Sequence, residues 1–274
     1  MRNSFTLLNA YHGAEGNLER REGGEEVMKQ FCVTTAMGKR LIGKGMARHP
    51  AVQAALAKGV LVIIAGTTNG YVAEEVLQSL GQAEGFSRVG FRRGLTVAPG
   101  ARAIQADLAG DVVIRDGAWQ KGQTIVDVAD DLRAGDVVLK GANAFDPRGQ
   151  AAVQIGHPKG GTILATLPAV IGRRVQLIVP VGLEKRVFED VNVLAQRCNA
   201  PESEGPRLLP LPGEIFTELD AIELLTGARA CLLAAGGVYG AEGAAWLGID
   251  GTGEQVQAAG DLIRSLAGEP PCKV

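Results

Sequence analysis

The stretch LVIIA-GTTNG at residues 61–70 carries the strongest indication of fold in this chain. Its first half is a short apolar run without alternation and rich in β-branched residues, which is typical of a strand buried on both faces of a sheet. Its second half is a turn of glycine and small polar residues. Val72, Val76, Leu77 and Leu80 follow at helical spacing. The segment therefore predicts a strand, a glycine turn and a helix.

The same order recurs further along the chain. A second apolar run, DVVL at 136–139, is followed by the polar segment KGANAFD at 140–146. A glycine loop at 156–162 (GHPKGGT) opens another predicted helix, and VQLIVPV at 175–181 reads as a further strand. Repeated strand and helix units predict an α/β fold with a mainly parallel sheet that is covered by helices on both faces.

Composition shifts divide the chain into three predicted parts. Residues 1–27 are a charged, aperiodic leader that we expect to be disordered, and Met28 is a hypothetical natural start. Residues 28–200 form the predicted α/β ligand-binding domain. Four prolines within 199–213 favour an extended linker. The pattern in 207–274 is helix, strand, strand, helix, which predicts a small α+β domain packed on the first.

Composition also excludes several classes of partner. The 274 residues have a formal net charge of -2, so no global positive field favours nucleic acid. Apolar runs such as 60–65 are far shorter than the roughly 18 residues of a membrane span, so we expect no membrane association. The cysteines show neither CxxC pairs nor metal-ligand spacing, which predicts no metal site and a cytoplasmic location. They are Cys32, Cys198, Cys231 and Cys272.

The turn after the first strand is a candidate anion site. Glycines let backbone N–H groups approach a ligand, the small polar side chains add hydrogen bonds, and the following helix N-terminus favours negative charge. The predicted substrate-binding residues here are Gly66, Thr67, Thr68, Asn69 and Gly70. The alternative is a tight turn that needs only flexibility and a cap. The segment lacks the GK[ST] ending of a P-loop and the GxGxxG of a dinucleotide site.

The 140–162 segment is a second candidate because polar side chains are dense among its glycines. We expect Asp146 to be a general base and Lys140 to give electrostatic support. His157 and Lys159 are predicted to compensate an acidic ligand, although an isolated histidine in a glycine loop is often merely solvated. The predicted substrate-binding residues are Asn143, His157, Lys159, Gly160, Gly161 and Thr162.

Two further glutamates are candidate nucleophiles. Glu184 and Lys185 follow the strand at 175–181, where Glu184 would act as base or nucleophile and Lys185 would help to bind the substrate. The alternative is a surface ion pair. Glu242 lies in the glycine loop 236–243, for which a plain turn between two strands is an equal alternative.

These segments together resemble the superfamily that contains ribose-5-phosphate isomerase, glucosamine-6-phosphate deaminase and CoA transferases. GTTNG at 66–70 with EEVL at 74–77 is similar to the phosphate loop and helix of that superfamily. KGANAFD at 140–146 and KGG at 159–161 are similar to the acidic segment and the later glycine loop of the isomerase. The resemblance covers roughly residues 30–195.

Within that superfamily, three stretches are closer to LUD-domain proteins, the lactate-utilization type: GAN at 141–143, LP at 167–168 and VPVGLEK at 179–185. The chain also departs from the isomerase pattern. Lys140 stands where the isomerase has its first aspartate and Asn143 where it has the next acidic residue, so Asp146 alone retains a carboxylate. Proton abstraction by the isomerase route is therefore disfavoured.

The resemblance and the loops lead to one functional expectation. We expect a cytoplasmic protein that binds a phosphorylated, carboxylated or CoA-linked small molecule, such as a sugar phosphate or hydroxy acid, at the carboxyl ends of its strands. Isomerase or transferase chemistry is the enzymatic form of this expectation. The alternative is a non-catalytic metabolite sensor or assembly subunit that retains the binding site. The cofactor is unknown, and a homo-oligomer is left open.

Overall fold

The computed structural model describes residues 28–97 and 110–270. Twelve strands and eight α-helices lie in these ranges, with short 3-10 turns at 129–131 and 183–185 and a π-helical turn at 168–172. The predictions for the leader at 1–27 and for Cys272 fall outside the described residues, as does the end of the predicted loop at 94–100.

The helices are α1 (Thr35–Met46), α2 (Pro50–Ala57), α3 (Thr67–Ser79), α4 (Ile125–Val128), α5 (Gly161–Leu167), α6 (Val191–Cys198), α7 (Glu218–Thr226) and α8 (Gly253–Ser265). The strands are β1 (Lys29–Val33), β2 (Val60–Ile63), β3 (Val112–Arg115), β4 (Ala118–Trp119), β5 (Val137–Leu139), β6 (Ala144–Phe145), β7 (Ala151–Ile155), β8 (Gln176–Pro180), β9 (Arg207–Leu211), β10 (Glu214–Phe216), β11 (Arg229–Ala235) and β12 (Ala245–Asp250).

A six-stranded sheet in the order β10-β8-β5-β2-β3-β4 forms the centre of the fold. Strands β10, β8, β5 and β2 are parallel, and β3 and β4 add an antiparallel edge. Every residue of β2 and β5 is buried. Because neighbouring side chains of a strand point to opposite faces, both faces of the sheet must be covered. The prediction of an α/β fold with a mainly parallel sheet is confirmed.

The central strands supply much of the core. Leu61, Val62 and Ile63 have no exposed surface, and complete burial of such a side chain contributes about 1.5 to 3 kcal/mol. Helix α1 packs against α3 and α7. It begins after Thr34, whose hydroxyl accepts a hydrogen bond from the Met37 backbone N–H at 3.3 Å, and a threonine cap of this kind favours a helix start.

Two three-stranded antiparallel sheets flank the centre, in the orders β1-β12-β11 and β6-β7-β9. The segment predicted as a proline-rich linker is partly wrong, because Arg207–Leu211 is strand β9 and pairs with β7. Pro210 is tolerated there since β9 is an edge strand. Strand β10 joins the central sheet beside β8, so residues 207–216 complete sheets that begin earlier in the chain.

None of the helices in the described ranges combines the length and apolarity needed to cross a bilayer.

Candidate functional site

The turns after β2, β5 and β8 meet at the carboxyl edge of the central sheet and line a cavity of about 630 Å³, here named the strand-end cavity. This volume lies within the range of small-molecule sites. Segments from elsewhere in the chain close its sides. Its lining consists of Lys39, residues 64–69, 93–96, 140–143, 153–157 and 160–163, Glu184 and Lys185.

The N-terminus of α3 forms one wall of the strand-end cavity. Its N-cap, Gly66, provides no side-chain hydrogen bond, and the first turn contains no acidic residue. The first N–H groups of a helix have no partner within the helix and carry its positive partial charge. The Thr68 hydroxyl and the Asn69 side-chain oxygen are buried, and neither has a hydrogen-bond partner in the described part of the chain. The helix N–H groups and the Thr68 hydroxyl can therefore donate hydrogen bonds to an anion at this wall, whereas the Asn69 oxygen can only accept one.

Asn69 also joins the two neighbouring strand ends. Its Nδ2 donates to the Ile64 carbonyl at 2.8 Å and to the Leu139 carbonyl at 3.0 Å. These carbonyls belong to the ends of β2 and β5, where the side-by-side pairing of the strands stops. The amide therefore orients the helix start relative to the sheet edge.

Two lysines line the strand-end cavity directly after β5 and after the end of β8. Lys140 Nζ donates to the Gly141 carbonyl at 3.3 Å, and Lys185 Nζ donates to the Ala142 carbonyl at 2.7 Å. Among the described residues, neither ammonium forms an ion pair with a carboxylate. Burial and, to a lesser extent, the charge of Lys185 lower the pKa of Lys140 to about 8, against the opposing charge of Asp111. Burial also lowers the pKa of Lys185, against the opposing charge of Glu184.

Glu184 enters the cavity from the 183–185 turn and pairs with Lys39 of α1, with 2.6 Å between Oε1 and Nζ. The expected surface ion pair with Lys185 is therefore replaced by a pair with a lysine that is far away in sequence. Gly182 leaves room for this carboxylate, because a Cβ there would lie 2.0 Å from Glu184 Oε2. Any side chain at position 182 would have to displace Glu184.

A second carboxyl, that of Glu218, lies behind this pair at the start of α7. Its Oε2 accepts a hydrogen bond from the Leu183 backbone N–H at 3.0 Å, which anchors the 183–185 turn. Burial and, to a lesser extent, the negative charge of Glu184 raise the pKa of Glu218 to about 7, although the hydrogen bond from the Leu183 N–H opposes this shift. Gly38 of α1 permits the close approach, since a Cβ there would lie 2.4 Å from Glu218 Oε1.

The segment before β3 covers another side of the cavity. Arg93 Nη1 lies 3.4 Å from Asp111 Oδ1, and Arg93 Nη2 donates to the Gly110 carbonyl at 3.2 Å. Asp111 is buried and also accepts from the Ala65 and Ile125 backbone N–H groups at 2.9 and 2.8 Å. Leu95 lies against Gly156, where a Cβ would be 2.6 Å from Leu95 Cδ2. The Asp111 carboxylate therefore holds both the segment after β2 and Arg93 in place.

The glycine loop after β7 contributes backbone more than side chains. Gly160 and Gly161 have φ values of 74° and 64°, a left-handed conformation that glycine adopts without strain. The His157 ring is exposed, and its Nδ1 accepts from the Lys159 backbone N–H at 3.1 Å. Asn143 Oδ1 accepts from the Gln154 N–H at 3.0 Å and holds the loop beside the β5 turn.

Most of the predicted site residues meet in the strand-end cavity. They are Gly66, Thr67, Thr68, Asn69, Lys140, Asn143, His157, Gly160, Gly161, Thr162, Glu184 and Lys185. Gly70 lies in the buried second turn of α3, and Lys159 is exposed; neither lines the cavity. Glu242 also lies elsewhere, where its carboxylate accepts from the Gly240 N–H at 3.2 Å.

The expected role of Asp146 as a base needs correction. Asp146 is 1% exposed and is not part of the cavity lining. Its Oδ1 accepts from the Arg148 and Gln150 N–H groups at 2.9 and 3.1 Å, and its Oδ2 accepts from the Val191 N–H at 3.1 Å. A carboxylate bound in this way stabilises a turn and the start of α6 and has no access to a ligand.

Sequence reasoning missed Lys39, Arg93, Asp111 and Glu218. Lys39 lies in a helix, where lysine is normally solvated, and Arg93 lies in a segment without periodicity. Glu218 lies in the first turn of α7, a place where an acidic residue is expected for capping alone. No local pattern indicates that this carboxyl is buried beside a cavity.

Comparisons with known proteins add no relative to this description: no family model matches, and neither the search of curated proteins nor that of solved structures produced a match. Within residues 28–97 and 110–270, no group of three or more His, Cys, Asp or Glu side chains is arranged to hold a metal ion. Cys32, Cys198 and Cys231 are free and exposed.

Proposed function

We propose that this protein binds a small anionic metabolite, phosphorylated, carboxylated or linked to CoA, in the strand-end cavity. The observation that carries the proposal is the buried, unpartnered Thr68 hydroxyl at the uncapped N-terminus of α3. A buried polar group without a partner costs about 1 to 3 kcal/mol. A ligand oxygen that accepts a hydrogen bond from this hydroxyl and from the helix N–H groups would recover that cost.

Charge supports the same conclusion. The lining contains Lys39, Arg93, Lys140 and Lys185 against the single carboxylate Glu184. Glu184 is paired with Lys39, so Lys140 and Lys185 line the cavity without a carboxylate partner among the described residues. Arg93 lies 3.4 Å from Asp111, and its charge is only weakly compensated. This excess favours an anion through local contacts, although the chain as a whole has a net charge of -2.

The superfamily resemblance is part of the proposal. An anion held by a glycine and threonine loop at the carboxyl ends of parallel strands is the arrangement that the resemblance to ribose-5-phosphate isomerase, CoA transferases and LUD-domain proteins implies. The cytoplasmic location also remains part of it. Asp146 lies outside the cavity and is bonded to backbone N–H groups. This favours a second candidate, a non-catalytic metabolite sensor or assembly subunit, over an isomerase that uses this carboxylate.

The test is a Thr68→Val variant that keeps the shape of the side chain and removes the hydroxyl. Without ligand, we expect the variant to be as stable as the wild type or more stable by about 1 kcal/mol, because an unpaired buried group is lost. With sugar phosphates, CoA esters or short hydroxy acids, a ligand that raises the wild-type melting temperature should raise that of the variant less. Thermal shift measurements report both effects.

Thr226→Val is the matched control, because Thr226 lies in α7 away from the cavity and its hydroxyl donates to the Ile222 carbonyl at 2.7 Å. This control should lose stability and keep the full ligand shift. Equal ligand shifts in the wild type and in Thr68→Val would contradict the proposed anion site. Glu184→Gln separates the two candidates: unchanged binding with lost turnover indicates an enzyme, and unchanged biological function indicates a sensor.

A further inference from the structure

Lys140 and Lys185 form a pair of amines that anion binding alone does not explain. They follow adjacent parallel strands, β5 and β8, and donate to the consecutive carbonyls of Gly141 and Ala142. Both therefore lie alongside the same short backbone stretch in one cavity. Two ammonium groups placed together disfavour each other's charge, so the arrangement makes one of the two amines easier to deprotonate.

The surroundings distinguish the two amines. Burial lowers the pKa of Lys185 and the charge of Lys39 adds to this shift, whereas the charges of both Glu184 and Glu218 oppose it. For Lys140, burial and Lys185 lower the pKa to about 8, and Asp111 alone opposes them. Near neutral pH, Lys140 then has a neutral fraction roughly 10²-fold larger than that of an ordinary lysine. The charged or titratable groups that line the cavity around it are Lys39, Arg93, His157, Glu184 and Lys185.

We propose that Lys140 is a nucleophilic amine that forms an imine with an aldehyde or ketone whose anionic group is held at the N-terminus of α3. This inference rests on the proposed function, since the α3 wall supplies the anchor and Lys140 lies in the same cavity of about 630 Å³. A lysine beside another cation in a desolvated site is a recognised form of activated nucleophile. The substrate class is therefore a small carbonyl compound that carries a phosphate or carboxylate.

The reaction balances without a redox partner. The lone pair of Lys140 Nζ forms a bond to the carbonyl carbon, and the π electrons of the C=O bond move to oxygen, which Lys185 stabilises as a cation. Glu184 passes two protons in turn from the nitrogen to the oxygen, the first to give the neutral carbinolamine and the second as the C–O bond breaks. The C–O bond then breaks, water leaves, and the nitrogen lone pair forms the C=N bond. The products are the imine and one water molecule.

The test uses glycolaldehyde phosphate as the probe, with sodium borohydride to reduce an imine to a stable secondary amine. Peptide mass mapping of the wild-type protein measures the labelling of each lysine. We expect Lys140 to be labelled at least about tenfold faster than Lys58, an exposed lysine at the end of α2. Inorganic phosphate should slow the labelling of Lys140 and leave that of Lys58 unchanged.

Two comparisons complete the experiment. Unphosphorylated glycolaldehyde should label Lys140 more slowly than its phosphate, because it lacks the anchor; equal rates would overturn the anchored reaction and count against the proposed function as well. Lys140→Arg, which keeps the positive charge, should abolish the fast labelling, whereas Lys58→Arg should not. If Lys185 takes up the label instead, the assignment of the nucleophile is wrong.

Failure of this inference can be separated from failure of the proposed function. Suppose that inorganic phosphate raises the wild-type melting temperature but Lys140 is labelled no faster than Lys58. This result would contradict imine formation by Lys140 and would support the anion site. Absence of any stabilisation by phosphate or by the phosphorylated probe would count against the anion site itself.

Discussion

Glu218 illustrates how the surroundings of one side chain control its charge. It is 4% exposed, lies against Gly38 of α1 and accepts from the Leu183 N–H. Burial is the first cause that raises its pKa, from 4.5 to about 7, and the nearby Glu184 is the second. The folded state therefore holds this proton more tightly than the unfolded chain. Stability from Glu218 is present below about pH 4.5 and is lost as the pH rises through about 7.

Glu218→Gln should remove this pH dependence. The amide oxygen can still accept from Leu183, and no charge has to be buried at high pH. We expect the variant to gain stability relative to the wild type between pH 5 and pH 8, by on the order of 1 to 3 kcal/mol. Urea denaturation at a series of pH values measures the difference. If the free energy of unfolding changed with pH in the same way in both proteins, Glu218 would not titrate in this range.

The start of α3 is the element that connects the sheet to the candidate site. Its N-terminal turn follows β2 directly, and Asn69 ties the ends of β2 and β5 to the helix. The first helix N–H groups have no side-chain cap, because the N-cap residue is Gly66. The geometry of the anion site therefore depends on a residue that need not touch the anion.

Asn69→Ala should destabilise the protein by about 2 kcal/mol, because the Ile64 and Leu139 carbonyls lose their hydrogen bonds from the Asn69 amide and Leu139 keeps that from the Ile64 N–H. It should also reduce the stabilisation by anionic ligands, since the helix start is no longer held. Asn192→Ala is the control: Asn192 is exposed, and its Nδ2 donates to Gln150 and Asp190. The control should change stability by less than about 0.5 kcal/mol. Chemical denaturation with and without ligand provides both values, and equal losses in the two variants would refute the role of Asn69.

Across the whole molecule, an ion-pair network centred on Arg40 connects the end of the described chain to the core. Arg40 bonds Glu74 and Glu75 of α3 at 2.5 and 2.8 Å and Glu269 at 2.9 Å. Arg88, which precedes the cavity-lining Arg93 segment, bonds Glu269 at 3.1 Å. Although burial acts to raise the pKa of Glu269, Arg40 and Arg88 hold it below its usual value. Residues as far apart in sequence as Arg40 and Glu269, 229 positions, thus share one charge cluster.

Glu269→Gln should cost about 2 to 3 kcal/mol at neutral pH, because two largely buried arginines lose a charged partner. The wild type should lose this advantage as the pH falls below about 4.5. Trypsin should also cut more rapidly near Arg88, since the segment loses its anchor. Glu204→Gln, at an exposed position, is the control and should change neither property. Melting curves and limited proteolysis test the prediction, which fails if both variants behave alike.

Local sequence patterns were enough to predict the central strands β2, β5 and β8 and the loops at the sheet edge, whereas β4, β6, β7 and β10 were not predicted. Residues 60–63 and 137–139 are buried on both faces, and a strand in that position must be continuously apolar. The polar loops after parallel strands necessarily reach the same edge of the sheet. The sequence alone therefore predicts that Thr68, Lys140 and Lys185 lie at one site. Strand β9 was missed because its prolines resemble those of a linker.

The burial and the partners of individual charged side chains depend on packing between segments that are distant in sequence. Asp146 resembled a base in sequence, yet the N–H of Val191, 45 residues away, turns it into a structural acceptor. Lys39 and Glu218 had no local signal, yet α1 and α7 bring them to Glu184. Hydrophobic periodicity is a local property that the chain encodes directly. Burial, ion pairing and pKa arise from contacts between residues that are remote in sequence. The reactivity of the cavity side chains is therefore determined by the tertiary structure.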